Sequence, residues 1–536
     1  MLKRFFFFSL FFCHSLASFE FTILHTNDLH SHLEGSFVKE SEQVIKRGGY
    51  AELSFQIKRI RKELEKKGEI VLLFDAGDFY GGTLFHSVAL QANAPYFPEY
   101  EFFNTLNYDA ITLGNHEFDG GDEGFDLLMR KVTKLGNKIP IISTNYINQS
   151  RYPIIKSKII EKVFKGEKIK FGILGALGPN GCAVSKGNRR SNHFIGYSDD
   201  DHDEEWSELE DVLEKEAREL KKKGVEVNIL VLHGGSGEDD RLARKLKGID
   251  IIIAGHTHEI YQKKIGQTYI SQAGSYAKSL GVLPFRLKKK LHLREPVIAK
   301  GGYHLKLGKD APKDSESAKK ILFYKRGIKK ILKENGLPEG LEKFKANKNL
   351  DRLKTGRFLT QRILDEMNER GESIDFYFSA AGLIRGEFFK EVQYDVYDLF
   401  RLLPIGLGRG GRLGHSVVSF YLSKEDVIKL IDFLETYSKF ASLATPIYSE
   451  NVTIERRLWG VPFLNRVKSV QINGREIKGL NKVATNTFIF NYLDLIKKKT
   501  YGLVSLVIRD DKGEPLEGRD VKEHKSEVFY YLHSFH

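Results

Sequence analysis

Five apolar runs in this sequence each end on residues whose side chains bind metal ions or carry protons. Phe21-Thr22-Ile23-Leu24 leads to Asp28 and His30, and Val71-Leu72-Leu73-Phe74 leads to Asp78. Ile111-Thr112-Leu113 breaks at Gly114 and delivers Asn115, His116, Glu117 and Asp119. Ile229-Leu230-Val231-Leu232 leads to His233, and Ile251-Ile252-Ile253-Ala254 leads to His256 and His258. Buried strands present polar groups in this way, from the loops at the carboxyl edge of a sheet. One such stretch is an ordinary strand followed by an Asx-type turn; five of them, spread from Asp28 to His258, are not a chance pattern. The set mixes carboxylate and amide oxygens with imidazole nitrogens, a shell that suits divalent cations. No cysteine lies near it, which excludes a thiolate zinc site.

The elements that must position these residues alternate. The pattern predicts strand 20–26, helix 51–66, strand 70–75, helix 123–135 and strand 139–143, the alternation of an α/β chain. Lys156 to Leu177 reads as a hairpin around Gly166, and 178–203 as an excursion loop rich in Gly, Asn and Asp. A helix at 206–223 and strands at 226–232 and 249–254 follow, then strands between Thr268 and Leu283. Residues 300–315 look like a boundary, after which Asp314 or Ser315 caps a helix running to about Asn335, closed by Gly336 and Pro338. A second α/β unit occupies 340–536, with Ser373 to Gly386 as its clearest strand-to-loop block.

At 536 residues the chain is too long for one core and predicts two or more domains. Its hydrophobic content of 41% supplies buried interiors and excludes wholesale disorder. The net charge of +13 is carried in Lys-rich runs such as Lys288-Lys289-Lys290, a solvated surface rather than a nucleic-acid stripe. Such a field still draws anionic substrates toward a cleft. Residues 1–17 read as a signal peptide: Lys3 and Arg4 precede the apolar run Phe5 to Phe12, and Ser15-Leu16-Ala17 offers small residues for cleavage. The expectation is export to the periplasm or medium, with lipid anchoring at Cys13 the minor alternative. No later stretch approaches the ~20 apolar residues of a membrane span. Cleavage after Ala17 leaves Cys182 alone, so no internal disulfide forms.

The blocks LHTNDLHSH, DAGDFYGG, GNHEFDGG, VLHGG and AGHTH resemble the metal-binding motifs of the calcineurin-like metallophosphoesterases. RGGYAEL at 47–53 and QAGSYAKSLG at 272–281 are similar to the 5′-nucleotidase branch, which includes UDP-sugar hydrolases and cyclic-nucleotide phosphodiesterases. The resemblance is strong over residues 20–285 and weaker beyond. It implies an N-terminal metallophosphoesterase β-sandwich flanked by helices, joined by a helix to a smaller C-terminal α/β domain. The divisions it implies are 18–305 for the catalytic domain, 306–338 for the linker and interdomain helix, and 339–536 for the substrate-binding domain.

It also implies two divalent metal ions, zinc, manganese or cobalt, since two ions about 4 Å apart acidify a water and clamp the transferring oxygens. On that likeness Asp28, His30 and His258 surround the first ion and Asn115, His233 and His256 the second, with Asp78 bridging. His116 stabilises the phosphoryl group or protonates the leaving group, oriented by Asp119, and Asn27 is a possible helper for phosphate. Glu117 has no assigned role. In the C-terminal half SAAGLIRG resembles the family's N-G-G-G-I-R block, making Arg385 an anion binder, though Ala380 replaces its asparagine. TNTFIFNYLD resembles the nucleoside-binding segment, with Phe488 stacking on the base and Asp494 contacting the ribose, though Tyr492-Leu493 replaces two glycines. Ile405 stands where the family has its second stacking ring, and Arg357 where relatives carry a basic residue.

The reading is thus an exported metallophosphohydrolase acting on nucleotides, with no nucleic-acid partner and an oligomeric state the sequence does not disclose. UDP-sugars, 2′,3′-cyclic nucleotides or a sulfur-containing ester are alternative substrates for the same metal chemistry. A binding protein without turnover is the alternative of another class.

Overall fold

The computed structural model describes residues 17–535 other than 165, 199–202, 291–292, 295–296, 339–342, 404–406, 409–411, 440–444, 458, 460–465, 492, 494–505 and 517–519. Ala17–Thr26, Ile70–Asp75, Ala110–Ile111 and Ile141–Ile142 form successive parallel strands of one sheet. Ser279–Lys290 closes that sheet along the antiparallel edge of Ala17–Thr26. A second sheet runs in the order Ile260–Ile265, Thr268–Ala273, Ile251–Ala254, Val227–His233, Glu167–Leu177 and Ser157–Phe164.

The two sheets face each other. Phe21, Ile23, Leu72 and Phe74 of the first share a core with Ile173, Ile229, Val231 and Ile253 of the second. Alternate residues point outward: Leu24 and Leu73 meet the helix Tyr50–Lys66 through Leu53, Ile57 and Ile60. Leu230, Leu232 and Ile252 meet the helix Trp206–Lys222 through Leu209, Leu213 and Leu220. The result is a helix–sheet–sheet–helix sandwich. Strands covered on both faces need continuous apolar runs, which is why periodicity alone could not assign faces to them.

The described part of the expected loop, 178–198, is more ordered than a loop of its composition predicts. It contains the helix Pro179–Ser185. The fully buried Arg189 holds it by donating to Ser185 Oγ, Cys182 O and Asn192 O at 2.7–3.0 Å. This buried guanidinium adds to the apolar packing of Cys182, Phe194 and Tyr197 in the core.

The helix Ser315–Glu334 begins where its capping residue predicts, with the Asp314 carboxylate accepting from Ser317 N. It packs on the first unit, Ser54 and Ser317 hydroxyls meeting at 2.8 Å. Beyond it, Pro446–Tyr448, Phe376–Ala380, Leu480–Asn486, Ser416–Ser423 and Lys522–Ser526 form a mixed sheet. The helices Arg352–Glu369, Lys424–Tyr437 and Glu527–His533 accompany it. This half meets the first at several points: Lys46 pairs with Asp398 at 2.9 Å, and Arg401 Nη1 donates to Gly35 O at 2.5 Å.

Candidate metal centre and active site

The carboxyl ends of both sheets converge on one point. Asp28, His30, Asp78, His256 and His258 all take positive φ, between 46° and 88°. Non-glycine residues rarely adopt that region, and such strain concentrates where a site requires it. Gly114 is imposed by the same crowding, since a Cβ there would lie 2.2 Å from Asp78 Oδ1.

Donor atoms face one another across short gaps. His30 Nε2 lies 3.0 Å from His258 Nε2, and His258 Nε2 lies 3.4 Å from Asp28 Oδ1. On the other side His233 Nε2 is 3.2 Å from Asp78 Oδ2, and His256 Nδ1 is 2.9 Å from Asn115 Oδ1. His30 Nε2 spans the two groups, 3.8 Å from both Asp28 and Asp78. A tetrahedral ion with bonds of about 2.1 Å has ligand–ligand edges of about 3.4 Å, so this spacing fits divalent cations. The donor chemistry agrees. His233 Nδ1 is taken by Ala76 O at 2.7 Å, and His256 Nε2 by Asn180 Oδ1 at 3.0 Å. Each ring then turns its other nitrogen inward, as outer partners of metal ligands do. Three overlapping donor groups result: Asp28–His30–His258, Asp78–His233–His256 and His30–Asp78–His116.

His116 differs from its neighbours. Its Nδ1 is engaged by Asp119 Oδ2 at 2.8 Å, and its Nε2 lies 3.3 Å from Arg385 Nη2. Burial works against its protonation, yet the charges of Asp119 and Asp78 raise its pKa to about 9.

Glu117, without a role by sequence, is fully buried and accepts three backbone N–H groups. They are Asp78 N at 3.1 Å, Tyr80 N at 3.1 Å and Gly114 N at 2.5 Å. It therefore ties the loop of Asp78 to the loop of Asn115. Burial, then the charge of Asp78, pushes its carboxyl up to about 8, against the pull of those same N–H groups. Asn27, expected as a phosphate helper, is used internally. Its amide donates to Asp28 Oδ2 at 2.7 Å and Gly274 O at 2.5 Å, and its oxygen accepts from Ala273 N. It orients Asp28 instead.

The centre opens into a cleft of about 1220 Å³ between the two halves, lined on the far side by Arg385, Phe488, His415 and Arg352. Phe488 sits on this wall with its ring 5.5 Å from that of His415, whereas Phe490 is buried against Phe420 in the core. Residues 487–491 are helical, so two positions apart face opposite ways. Arg357 lies elsewhere, in a small surface recess with Lys348 and Lys354. Asp494, Ile405 and Tyr492 lie outside the described residues. Sequence reasoning missed Tyr276, whose ring packs 5.5 Å from His30 and 5.0 Å from His258, although it stands in the quoted QAGSYAKSLG block. It also missed Arg352 and His415, which no local pattern marks.

Strained, oxygen- and imidazole-bearing loops at the joined edges of a sheet sandwich define a metal-dependent phosphoester hydrolase. The calcineurin-like phosphoesterase family matches residues 21–259. A snake venom 5′-nucleotidase of Gloydius brevicauda is 26% identical over 529 residues, covering 92% of this chain and 82% of the relative. The Mus musculus 5′-nucleotidase is 30% identical over 352 residues, 65% of this chain and 55% of its own length. Among solved structures, a 5′-nucleotidase precursor from Thermus thermophilus shares the fold, with a TM-score of 0.72, 20% identity and 96% of each chain covered. A sulfate thiohydrolase shares it with a TM-score of 0.64 and 15% identity over 96% of this chain and 94% of that one. The chain carries a calcineurin-like phosphoesterase domain over residues 21–259 and is similar to 5′-nucleotidases over most of its length. Its donor groups suit a divalent metal. Among the described residues no helix is long and apolar enough to cross a membrane.

Proposed function

We propose that this chain is an exported two-domain phosphohydrolase that releases phosphate from nucleotides, holding two divalent ions at the loop cluster. The observation that carries the reading is the overlap of donor groups, in which Asp78 and His30 each belong to two sets. Asp28, His30 and His258 would hold one ion and Asn115, His233 and His256 the other, with Asp78 between them. This shell accommodates zinc, manganese or cobalt. The domain limits 18–305, 306–338 and 339–536 belong to the same proposal, as does a leader over 1–17.

Bound divalent ions supply positive charge for the phosphoryl oxygens and an acidified water as nucleophile. The chain's own residues do the rest. His116 Nε2 and Arg385 Nη2, 3.3 Å apart, converge where nonbridging oxygens would lie. Asp119 fixes the ring by accepting from Nδ1–H, leaving Nε2 to hand a proton to the leaving oxygen. Phe488 and His415 offer flat faces for a base, a mode that every base satisfies. Asp494 remains the expected ribose contact.

A panel of four nucleoside monophosphates, a UDP-sugar, a 2′,3′-cyclic nucleotide and p-nitrophenyl phosphate, assayed on metal-reconstituted protein, tests this. Phosphate release from the nucleotides is expected. Release from the aryl phosphate alone would overturn the substrate, and release from neither would overturn the chemistry.

A further inference from the structure

Arg385 reaches His116 from the other half of the molecule, and its own contacts do little to aim it. Its backbone N donates to Leu402 O at 3.0 Å, and its side-chain hydrogen-bond partner among the described residues is His116 itself. The peptide that carries it follows a single turn, Ala381–Leu383, anchored by Ala381 N to Thr445 O at 2.8 Å. Two carbonyls of this segment converge on one side chain. Arg352 Nε donates to Ala381 O at 3.1 Å and to Ile384 O at 2.8 Å, and Arg352 Nη2 donates to Ala381 O at 2.7 Å. The guanidinium therefore grips both ends of the turn and fixes the residue immediately before Arg385.

Two features argue that this grip serves the cleft and not the helix it starts. Arg352 is the first residue of the helix Arg352–Glu369, where the helix dipole disfavours a cation. It also lines the same cleft as Arg385, and after burial the Arg385 charge is the next influence lowering its pKa. Two like charges lining one cleft repel until an anion joins them. The helix approaches the segment closely enough for this: a Cβ at Gly356 would lie 2.4 Å from Ile447 and 3.0 Å from Ile384.

We propose that Arg352 is a positioning residue for phosphoryl binding, holding the Ala381 and Ile384 carbonyls so that Arg385 is aimed at the site shared with His116. This rests on the role given above to Arg385. The rigid fork matters, because Nε and Nη2 together hold Ala381 O while Nε also takes Ile384 O. An ammonium on a flexible stem does not reproduce that fixed geometry.

Steady-state kinetics with p-nitrophenyl phosphate on metal-reconstituted Arg352→Met, Arg352→Lys, Arg385→Met and the Arg352→Met/Arg385→Met double variant test it, with metal content measured alongside. Arg352→Met should lower kcat/KM by about tenfold to a hundredfold, the cost of a misplaced binding group, with metal content unchanged. Arg352→Lys should fall nearly as far despite keeping the charge. In the Arg385→Met background, Arg352→Met should cost less than about twofold, since nothing remains to position. If the two losses multiply, Arg352 acts on its own and the proposal is wrong. Wild-type kinetics in Arg352→Lys or Arg352→Met overturns it as well. Wild-type kinetics in Arg385→Met instead overturns the role of Arg385 itself. If Arg352→Met does not fold, Arg352→Lys carries the same comparison.

Discussion

Replacing Glu117 by Gln keeps the volume of this buried side chain and removes one of its two acceptor oxygens. Oε2 takes Asp78 N and Gly114 N, and Oε1 takes Tyr80 N. The amide oxygen can stand in only one of those places, so its NH2 group must face a backbone N–H. With the oxygen on the Oε2 side, Tyr80 N–H loses its acceptor; turned over, both Asp78 and Gly114 lose theirs. Leaving one buried donor unpaired costs roughly 1–3 kcal/mol. The loop that must give way carries Asp78, so the cost falls on metal binding before it falls on the fold. Outer partners of metal ligands typically contribute about tenfold to a hundredfold in affinity, or about 1.4–2.8 kcal/mol, which agrees. Competitive titration against a metal indicator measures it, with thermal melting of the metal-free proteins as control. Equal metal affinity in Glu117→Gln and wild type would refute the idea that this carboxylate braces the two ligand loops.

His116→Ala should retain its metal and lose turnover by roughly a hundredfold or more, because its Nε2 faces Arg385 and its Nδ1 is committed to Asp119; metal analysis showing loss of ions instead would make it a ligand. Phe488→Ala should weaken nucleotide binding by about 1–3 kcal/mol with little change toward p-nitrophenyl phosphate, and equal KM values for a nucleotide would place the base elsewhere. Glu527 is fully buried, and burial outweighs its hydrogen bonds from Asn486 and Tyr377 to raise its pKa to about 7. A raised folded pKa means the stabilising contribution is complete below about pH 4.5 and is lost as pH rises through about 7. Glu527→Gln should therefore melt with a smaller decline between pH 5 and pH 8 than wild type, the difference reaching about 3 kcal/mol of stability. An unchanged decline would show that the carboxyl is not the group responsible.

Much of the first half was legible because its chemistry sits at strand ends. A run such as Ile251–Ala254 must stop where the sheet stops, and the next polar residues are then at the edge whatever else the fold does. The hairpin at Gly166 and the Asp314 cap were legible for equally local reasons, a positive φ and a side chain three residues from its donor. The roles of Glu117 and Asn27 were not, because hydrogen bonds to Tyr80 N and Ala273 N depend on how distant loops meet. The order in 178–198 rests in part on buried Arg189, a charged residue that composition assigns to the surface. In the second half Arg352 reaches carbonyls some thirty residues away and carries no periodic signature. Phe488 and Phe490 parted ways only once a helical turn set their directions.

The most direct test of the account is a titration of metal-stripped protein with zinc, manganese or cobalt while phosphate release from p-nitrophenyl phosphate is followed. Turnover should be absent without metal and rise to a plateau near ~2 equivalents per chain, and Asp78→Asn should bind less metal and stay inactive. Undiminished turnover in the stripped protein, or wild-type metal stoichiometry in Asp78→Asn, would contradict it.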